Sequence, residues 1–284
     1  MNFDSHQLPE SFMHYFSKAI LLVMLICTSF SQSAFAGDEA LQAAIDGAHR
    51  PEANKKRDAV RHPKETLEFF GIKPGMTVVE LMPGAGWYTE ILAPYLKPKG
   101  QLIAALHDPE SKSEYARNSA ARFLKKLNDK PALYNEVITT VFEPPTKLHI
   151  EPDNTIDMVL TFRNAHNWLK GGDENMKEIF KNVYASLKEG GVFGVVEHRL
   201  PANKKQDMKD TSGYVSEAYI IQLAESVGFK LAAKSEVNAN PKDTADHKGG
   251  VWALPPSLVN KETDRQKYID IGESDRMTLK FVKP

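Results

Sequence analysis

The stretch that most constrains the fold is TVVELMPGAGWYTEIL, from Thr77 to Leu92. Thr77, Val78 and Val79 are β-branched, and Glu80 and Leu81 complete a short buried strand. Pro83-Gly84-Ala85-Gly86 breaks that pattern, and from Trp87 to Leu96 the apolar residues recur at helical spacing. A strand, a Gly-x-Gly turn and a helix in succession bring bare backbone N–H groups and a helix N-terminus over the strand end. Such a corner is a cradle for a small molecule.

The turn also narrows the ligand. A dinucleotide fingerprint wants a third small residue three positions after Gly86 and room for a pyrophosphate. Here that position is Thr89, preceded by the bulky Trp87 and Tyr88. The turn therefore suits a ligand without a pyrophosphate, and Glu80 suits a cationic or hydroxyl-bearing one. S-adenosylmethionine, with its ammonium, sulfonium and ribose, meets both conditions.

Four more apolar strands follow, separated by helical segments. Gln101 to Leu106 leads into His107-Asp108, and Val137 to Phe142 into Glu143. Ile156 to Phe162 leads into Arg163-Asn164-Ala165-His166-Asn167-Trp168, and Val192 to Val196 into Glu197-His198-Arg199. Helices are expected over 63–70, 114–127, 176–187, the last stopped by Gly190-Gly191, and 214–227. Residues 230–237 and 277–282 alternate as a terminal pair of strands. This order predicts an α/β fold, a mostly parallel sheet with helices on both faces. Right-handed crossovers gather the strand C-termini on one edge, where such sheets bind ligands. Five ends carrying so many carboxylates, imidazoles and guanidiniums mark that edge as a site.

Two further segments flank it. Residues 37–62 form a charged helical arm, a solvated face or a lid in which Arg57, Arg61 and His62 close over the cofactor mouth. Residues 238–275 are too long for a hairpin loop and read as a packed insertion anchored by Trp252.

The 284 residues carry a net charge of −1, which points to neither a nucleic-acid nor a membrane-surface partner. Residues 1–36 have the form of a cleavable signal peptide. Lys18 precedes the apolar run Ala19 to Cys27, and Ala34-Phe35-Ala36 stands before Gly37 as an A-x-A cleavage site. The run is short for a membrane span, so the expectation is export to the periplasm or beyond, with no anchor after the cut at Ala36. Cleavage would remove Lys18, Asp4 and Glu10, balance the charges, and take away Cys27, the one cysteine. Disulfide and thiolate chemistry are then excluded from a single mature domain of residues 37–284.

TVVELMPGAGWYTEIL, LTFRNAHNW, LKEGGVFGVVEHR and the closing IGESDRMTLKFVKP together resemble class I S-adenosylmethionine-dependent methyltransferases. The nearest branch is that of exported bacterial predicted methyltransferases, over about Arg57 to Pro284. The resemblance implies a Rossmann-like sheet of seven strands ending in an antiparallel hairpin. It implies cofactor contacts from Glu80, Gly84, Ala85 and Gly86, although Met82-Pro83 replace the first glycine of the motif and its neighbour. The acidic residue that holds the ribose falls in register on Leu106, so Asp108 would serve through a shifted turn. Glu143 would accept from the adenine amino group, and Phe142 would flank the ring. The Asn/Asp-Pro-Pro-aromatic loop of N-methylating relatives is replaced by residues 163–168, which excludes a simple copy of that mechanism.

The candidate catalytic residues are then His166, His198 and Arg163. Either histidine can take a proton from a hydroxyl or an acidic carbon, and Arg163 or Arg199 can hold an anionic group. Asn164, Asn167, Glu197 and Arg199 are the expected contacts to an unidentified small-molecule substrate. No metal site is assigned: H-E-x-x-H is absent, and the nearest approach is Glu197-His198 beside His107 and Asp108. Gly-x-Ser-x-Gly is absent too. Because S-adenosylmethionine is made in the cytosol, the alternative reading of an exported chain is a silent binder of a nucleoside-like molecule. A metal-assisted hydrolase on the same strand ends is the third reading.

Overall fold

The structure is a computed structural model and describes residues 39–150 and 152–284; the expected signal peptide, residues 1–36, lies outside them. The chain divides into a unit of residues 1–43, helical over 39–43, and a unit of residues 44–284 that carries everything below.

The second unit opens with two short helical turns, α1 (Glu52–Lys55) and α2 (Asp58–Arg61), and the helix α3 (Pro63–Phe70). Pro63 starts α3, where a missing N–H costs nothing, and Gly71 ends it in the left-handed conformation. Then come β1 (Thr77–Leu81), α4 (Thr89–Leu96), β2 (Gln101–Leu106), α5 (Glu114–Asp129), α6 (Pro131–Tyr134) and β3 (Ile138–Val141). After them run β4 (Ile156–Phe162), α7 (Ala165–Trp168), α8 (Gly172–Ser186), β5 (Leu187–Leu200), β6 (Val215–Ser216) and α9 (Glu217–Ser226). The chain closes with β7 (Lys230–Ser235), α10 (Arg265–Ile271) and β8 (Arg276–Val282).

The sheet has the order β3-β2-β1-β4-β5-β8-β7, with β6 attached to β5 off that path. The first five strands are parallel, and β8 runs antiparallel between β5 and β7. The expected architecture, a parallel sheet with an antiparallel terminal hairpin, is what forms. Central strands β1 and β4 are buried on both faces, which explains their unbroken apolar runs. Met176, Ile179, Phe180 and Val183 of α8 lock one face against Phe193 and Phe281.

The helix expected over 214–227 starts only at Glu217, because Val215 and Ser216 pair as β6, and the largest difference lies in β5. β5 runs from Leu187 to Leu200 instead of 192–196. Leu187 already pairs with Ile156, the register then slips, and Val192 resumes opposite Met158. Gly190, at φ +75°, and Gly191 lie in that irregularity, so the glycine pair bulges the strand instead of stopping a helix. At the far end Arg199 and Leu200 pair with Val215 and Ser216, extending β5 past the sheet edge.

The register fixes what meets at the edge. Phe162 pairs with Val196, so Glu197 and His198 stand just beyond the end of β4. Because β8 is antiparallel, its first residue, Arg276, pairs with His198. Strand starts and strand ends therefore converge there, and residues 238–275 pack over them.

Candidate functional site

Between β1 and α4 the backbone makes a tight corner in which Met82, Gly84 and Gly86 are left-handed, at φ +46°, +60° and +73°. The glycines adopt this without a Cβ penalty; Met82 does not, and its sulfur is held by the Trp168 Nε1–H at 3.1 Å. The two glycines do different jobs. A Cβ on Gly86 would stand 3.1 Å from Phe123 of α5, whereas one on Gly84 would meet nothing within 4 Å. Gly86 thus permits close packing, and Gly84 faces open space. That space is a shallow hollow lined by Met82, Pro83, Gly84, Leu106, His107, Ser119, Ala120 and Phe123.

The polar groups of the turn are sorted to match. Lys126 donates to the carbonyls of Ala85 (2.7 Å) and Gly86 (3.0 Å) and pairs with buried Glu90. The N–H groups of Gly84 and Ala85 find no partner among the described residues. Glu80 lies beneath, 2% exposed, accepting from Thr89 Oγ1 at 2.6 Å. Burial pushes its pKa up to about 7, against the pull of the Thr89 hydrogen bond and Lys126. Trp87 turns away from the hollow. Its Nε1 donates to Asn54 O, and Arg50 and Arg61 lie over its ring at 5.1 and 4.7 Å.

The rim at β2 and β3 is tied to itself. Glu143 accepts from the Asp108 N–H and Ser111 Oγ and bonds His107 Nδ1 at 2.8 Å. Asp108 pairs with Lys147, which holds its carboxyl below the usual range. Phe142 is fully buried and meets Trp168 edge-on, so it belongs to the core and not to the wall of the hollow. In this conformation Glu143 latches the 107–111 turn, leaving neither carboxylate free for a ribose or an adenine.

Across β1 and β4 lies a second group. His166 and His198 stand with ring centroids 5.4 Å apart around the buried Glu197. Glu197 accepts from the N–H groups of His166 (3.2 Å) and His198 (2.8 Å), and bonds His166 Nδ1 at 3.1 Å. His198 Nδ1 bonds Ser274 Oγ. Burial, then the charges of His166, Arg163, Arg276 and Arg61, drive the His198 pKa well below the ordinary value, so it is neutral at pH 7. Trp252, 38% exposed, leans edge-on to His166 at 6.0 Å instead of filling the core. The donor atoms of His166, Glu197 and His198 lie within 4.8 Å of one another, close enough to hold a metal ion. His107 and Asp108 are not part of that set, since β1 and β4 separate β2 from β5, a span of roughly 14 Å.

The remaining expected residues fall into place around these. Asn164 is buried and ties β4 to β1 through Leu81 O (2.9 Å) and Thr161 Oγ1. Asn167 is exposed. Arg199 is held by Asp275, Glu236 and Glu217, which satisfy its guanidinium and raise its pKa further. Arg163, by contrast, lines a small cavity with Arg61, Tyr88, Phe162, Val196, Asn238 and Arg276. Its backbone is left-handed at φ +62°, a strained conformation for a long side chain. Tyr88 stacks on Phe162 at 3.5 Å, a wall between this cavity and the Gly84 corner.

Sequence reasoning missed Tyr88, Asn238, Glu273 and Arg276. A usable signal existed for Arg276: a terminal antiparallel strand begins at the edge where parallel ones end.

No family model matches this chain, and no curated protein matches it. Solved structures do match. The [4+2]-cyclase SpnF aligns with TM-score 0.54 and 14% identity over 80% of this chain and 82% of its own. Geranyl diphosphate methyltransferase in complex with S-adenosylmethionine gives 0.52 and 10%, over 86% and 95%. Phosphoethanolamine N-methyltransferase 2 of Haemonchus contortus, with the same cofactor, gives 0.52 and 16%, over 79% and 52%. At such identities the likeness is one of fold. The chain has the class I S-adenosylmethionine-dependent methyltransferase fold.

Proposed function

We infer that this chain binds S-adenosylmethionine beside Gly84 and transfers its methyl group to a small-molecule acceptor at the ends of β4 and β5. The observation that carries the reading is the Gly84 corner: a left-handed glycine facing open space, with two unpaired N–H groups at a helix entrance. Those N–H groups suit a carboxylate such as that of the methionyl end. The hollow is far too small for an adenosyl group as it stands, so seating that end requires the turn latched by Glu143 to move outward. The sequence of residues 1–36 supports an exported protein.

When bound, the cofactor supplies an electrophilic methyl group on a sulfonium. The chain must align the acceptor and, for a hydroxyl or carbon acid, remove a proton. His166 suits that role. Glu197 beside Nδ1 favours the tautomer protonated there, which leaves Nε2 to accept a proton. His198, neutral at pH 7, lies within reach of the same volume.

Titration calorimetry with S-adenosylmethionine and S-adenosylhomocysteine tests the reading. Saturable micromolar binding of both is expected, and no heat at high micromolar ligand overturns it. Gly84→Asn keeps a residue that tolerates the left-handed backbone and fills the hollow. It should lose at least tenfold in affinity while its urea midpoint moves little.

One observation favours a second reading, metal-assisted hydrolysis: the His166–Glu197–His198 donor set. Stoichiometric metal in protein purified without chelator, lost in His166→Ala, would favour it over methyl transfer.

A further inference from the structure

The cavity behind Tyr88 gathers more positive charge than the protein neutralises. Arg61 and Arg276 are 3% and 4% exposed, and Arg57 and Arg163 adjoin them. One carboxylate, Glu273, answers all four, bonding Arg57 Nε (2.7 Å), Arg61 Nε (3.2 Å) and Arg276 Nη1 (3.0 Å). Arg163 has no side-chain hydrogen bond or ion pair among the described residues. Arg57 Nη2 and Arg276 Nε are buried with no acceptor among the described residues. Burial and the neighbouring guanidiniums lower Arg61 to about 9 and Arg163 to about 10.

A buried charge without a partner is among the costliest arrangements a fold can hold. Here three guanidiniums, of Arg61, Arg163 and Arg276, line one cavity with an excess of positive charge over the single carboxylate of Glu273, and strained backbone at Arg163 helps bring its side chain there. We propose that this cavity is a binding site for a phosphate group, the anchor of a phosphomonoester-bearing small molecule. The guanidiniums come from three directions: Arg61 from the arm, Arg163 from the end of β4, Arg276 from the start of β8. A tetrahedral oxyanion offers oxygens to all three, whereas a planar carboxylate offers two in one plane. A phosphomonoester also carries about −1.5 to −2 at pH 7, closer to the excess than one carboxylate. Asn238, buried and already bonded to Thr66 and Thr278, closes the far side.

As the anchor of a methyl acceptor the site rests on the function inferred above; as an anion site it does not. Inorganic phosphate is therefore titrated into the full chain without cofactor, following the thermal midpoint, with sodium chloride at equal ionic strength and malonate as parallel arms. A saturable rise with phosphate beyond both is expected. A rise no larger than that with chloride overturns the site, and malonate binding as tightly as phosphate overturns the phosphate assignment. Arg163→Met removes no ion pair and should fold; its phosphate affinity should drop at least tenfold. Unchanged affinity in that variant overturns the proposal even if the parent binds. Cofactor binding without phosphate binding would sink this inference alone.

Discussion

Glu80 occupies a place that penalises its charge. Burial holds its pKa near 7, although Thr89 and Lys126 both favour the anion. Between about pH 4.5 and 7 the folded chain keeps a proton there that the unfolded chain has released, so folding loses stability as pH rises through that window. The loss is on the order of 3 kcal/mol once complete. Glu80→Gln preserves an acceptor for Thr89 Oγ1 and abolishes the titration. Urea unfolding should therefore show variant and parent alike below about pH 4.5, and the variant more stable by about 1–3 kcal/mol above pH 7. A constant difference across the range would mean that folding leaves the Glu80 pKa unshifted.

At the scale of elements, α5 works as a brace beneath the glycine corner. Lys126 holds two of its carbonyls and neutralises Glu90, which also binds Asn54 of α1 through both carboxylate oxygens. Lys126→Met should cost about 1–3 kcal/mol in urea unfolding, because it strips a buried carboxylate of its nearest cation. It should also weaken cofactor binding more than surface Lys125→Met, whose partner Asp129 lies on the exposed face. The corner itself was legible in the sequence, since a strand, two glycines and a helix are local signals. So were the ends of β4 and β5, because parallel strands must finish on one edge. What sequence could not tell is which polar ends remain available. Glu143 and Asp108 are spent on His107, Ser111 and Lys147, and Arg199 on three acids, while Arg163 is left open. Pairings of that kind depend on side-chain reach across elements, which no spacing rule encodes.

Over the whole second unit, Glu273 joins segments far apart in the chain. Arg57 and Arg61, 216 and 212 residues away, bind it from the arm, and Arg276 binds it from the hairpin. Glu273 thereby fastens the Arg57–Arg61 end of the arm over the strand ends, with Arg276 also donating to Val60 O, while Glu90 holds Asn54 nearer its start. Burial alone would raise the Glu273 pKa; the charge of Arg61, the Arg57 hydrogen bond and Arg276 together hold it at about 2. Because that value lies below the unfolded one, the contribution is complete above about pH 4.5 and drains away as pH falls towards 2. Its size is about 3 kcal/mol by the same linkage, and losing the partner of several buried cations costs ~3–5 kcal/mol. Glu273→Gln should thus lower the thermal midpoint clearly at pH 7, with the gap to the parent closing between pH 4.5 and 2. Proteolysis should first cut the variant near residues 56–62, since that end of the arm has lost its carboxylate while α3 and the sheet keep their contacts. A gap that stays constant with pH, or first cuts elsewhere, would show that the arm is held by other contacts.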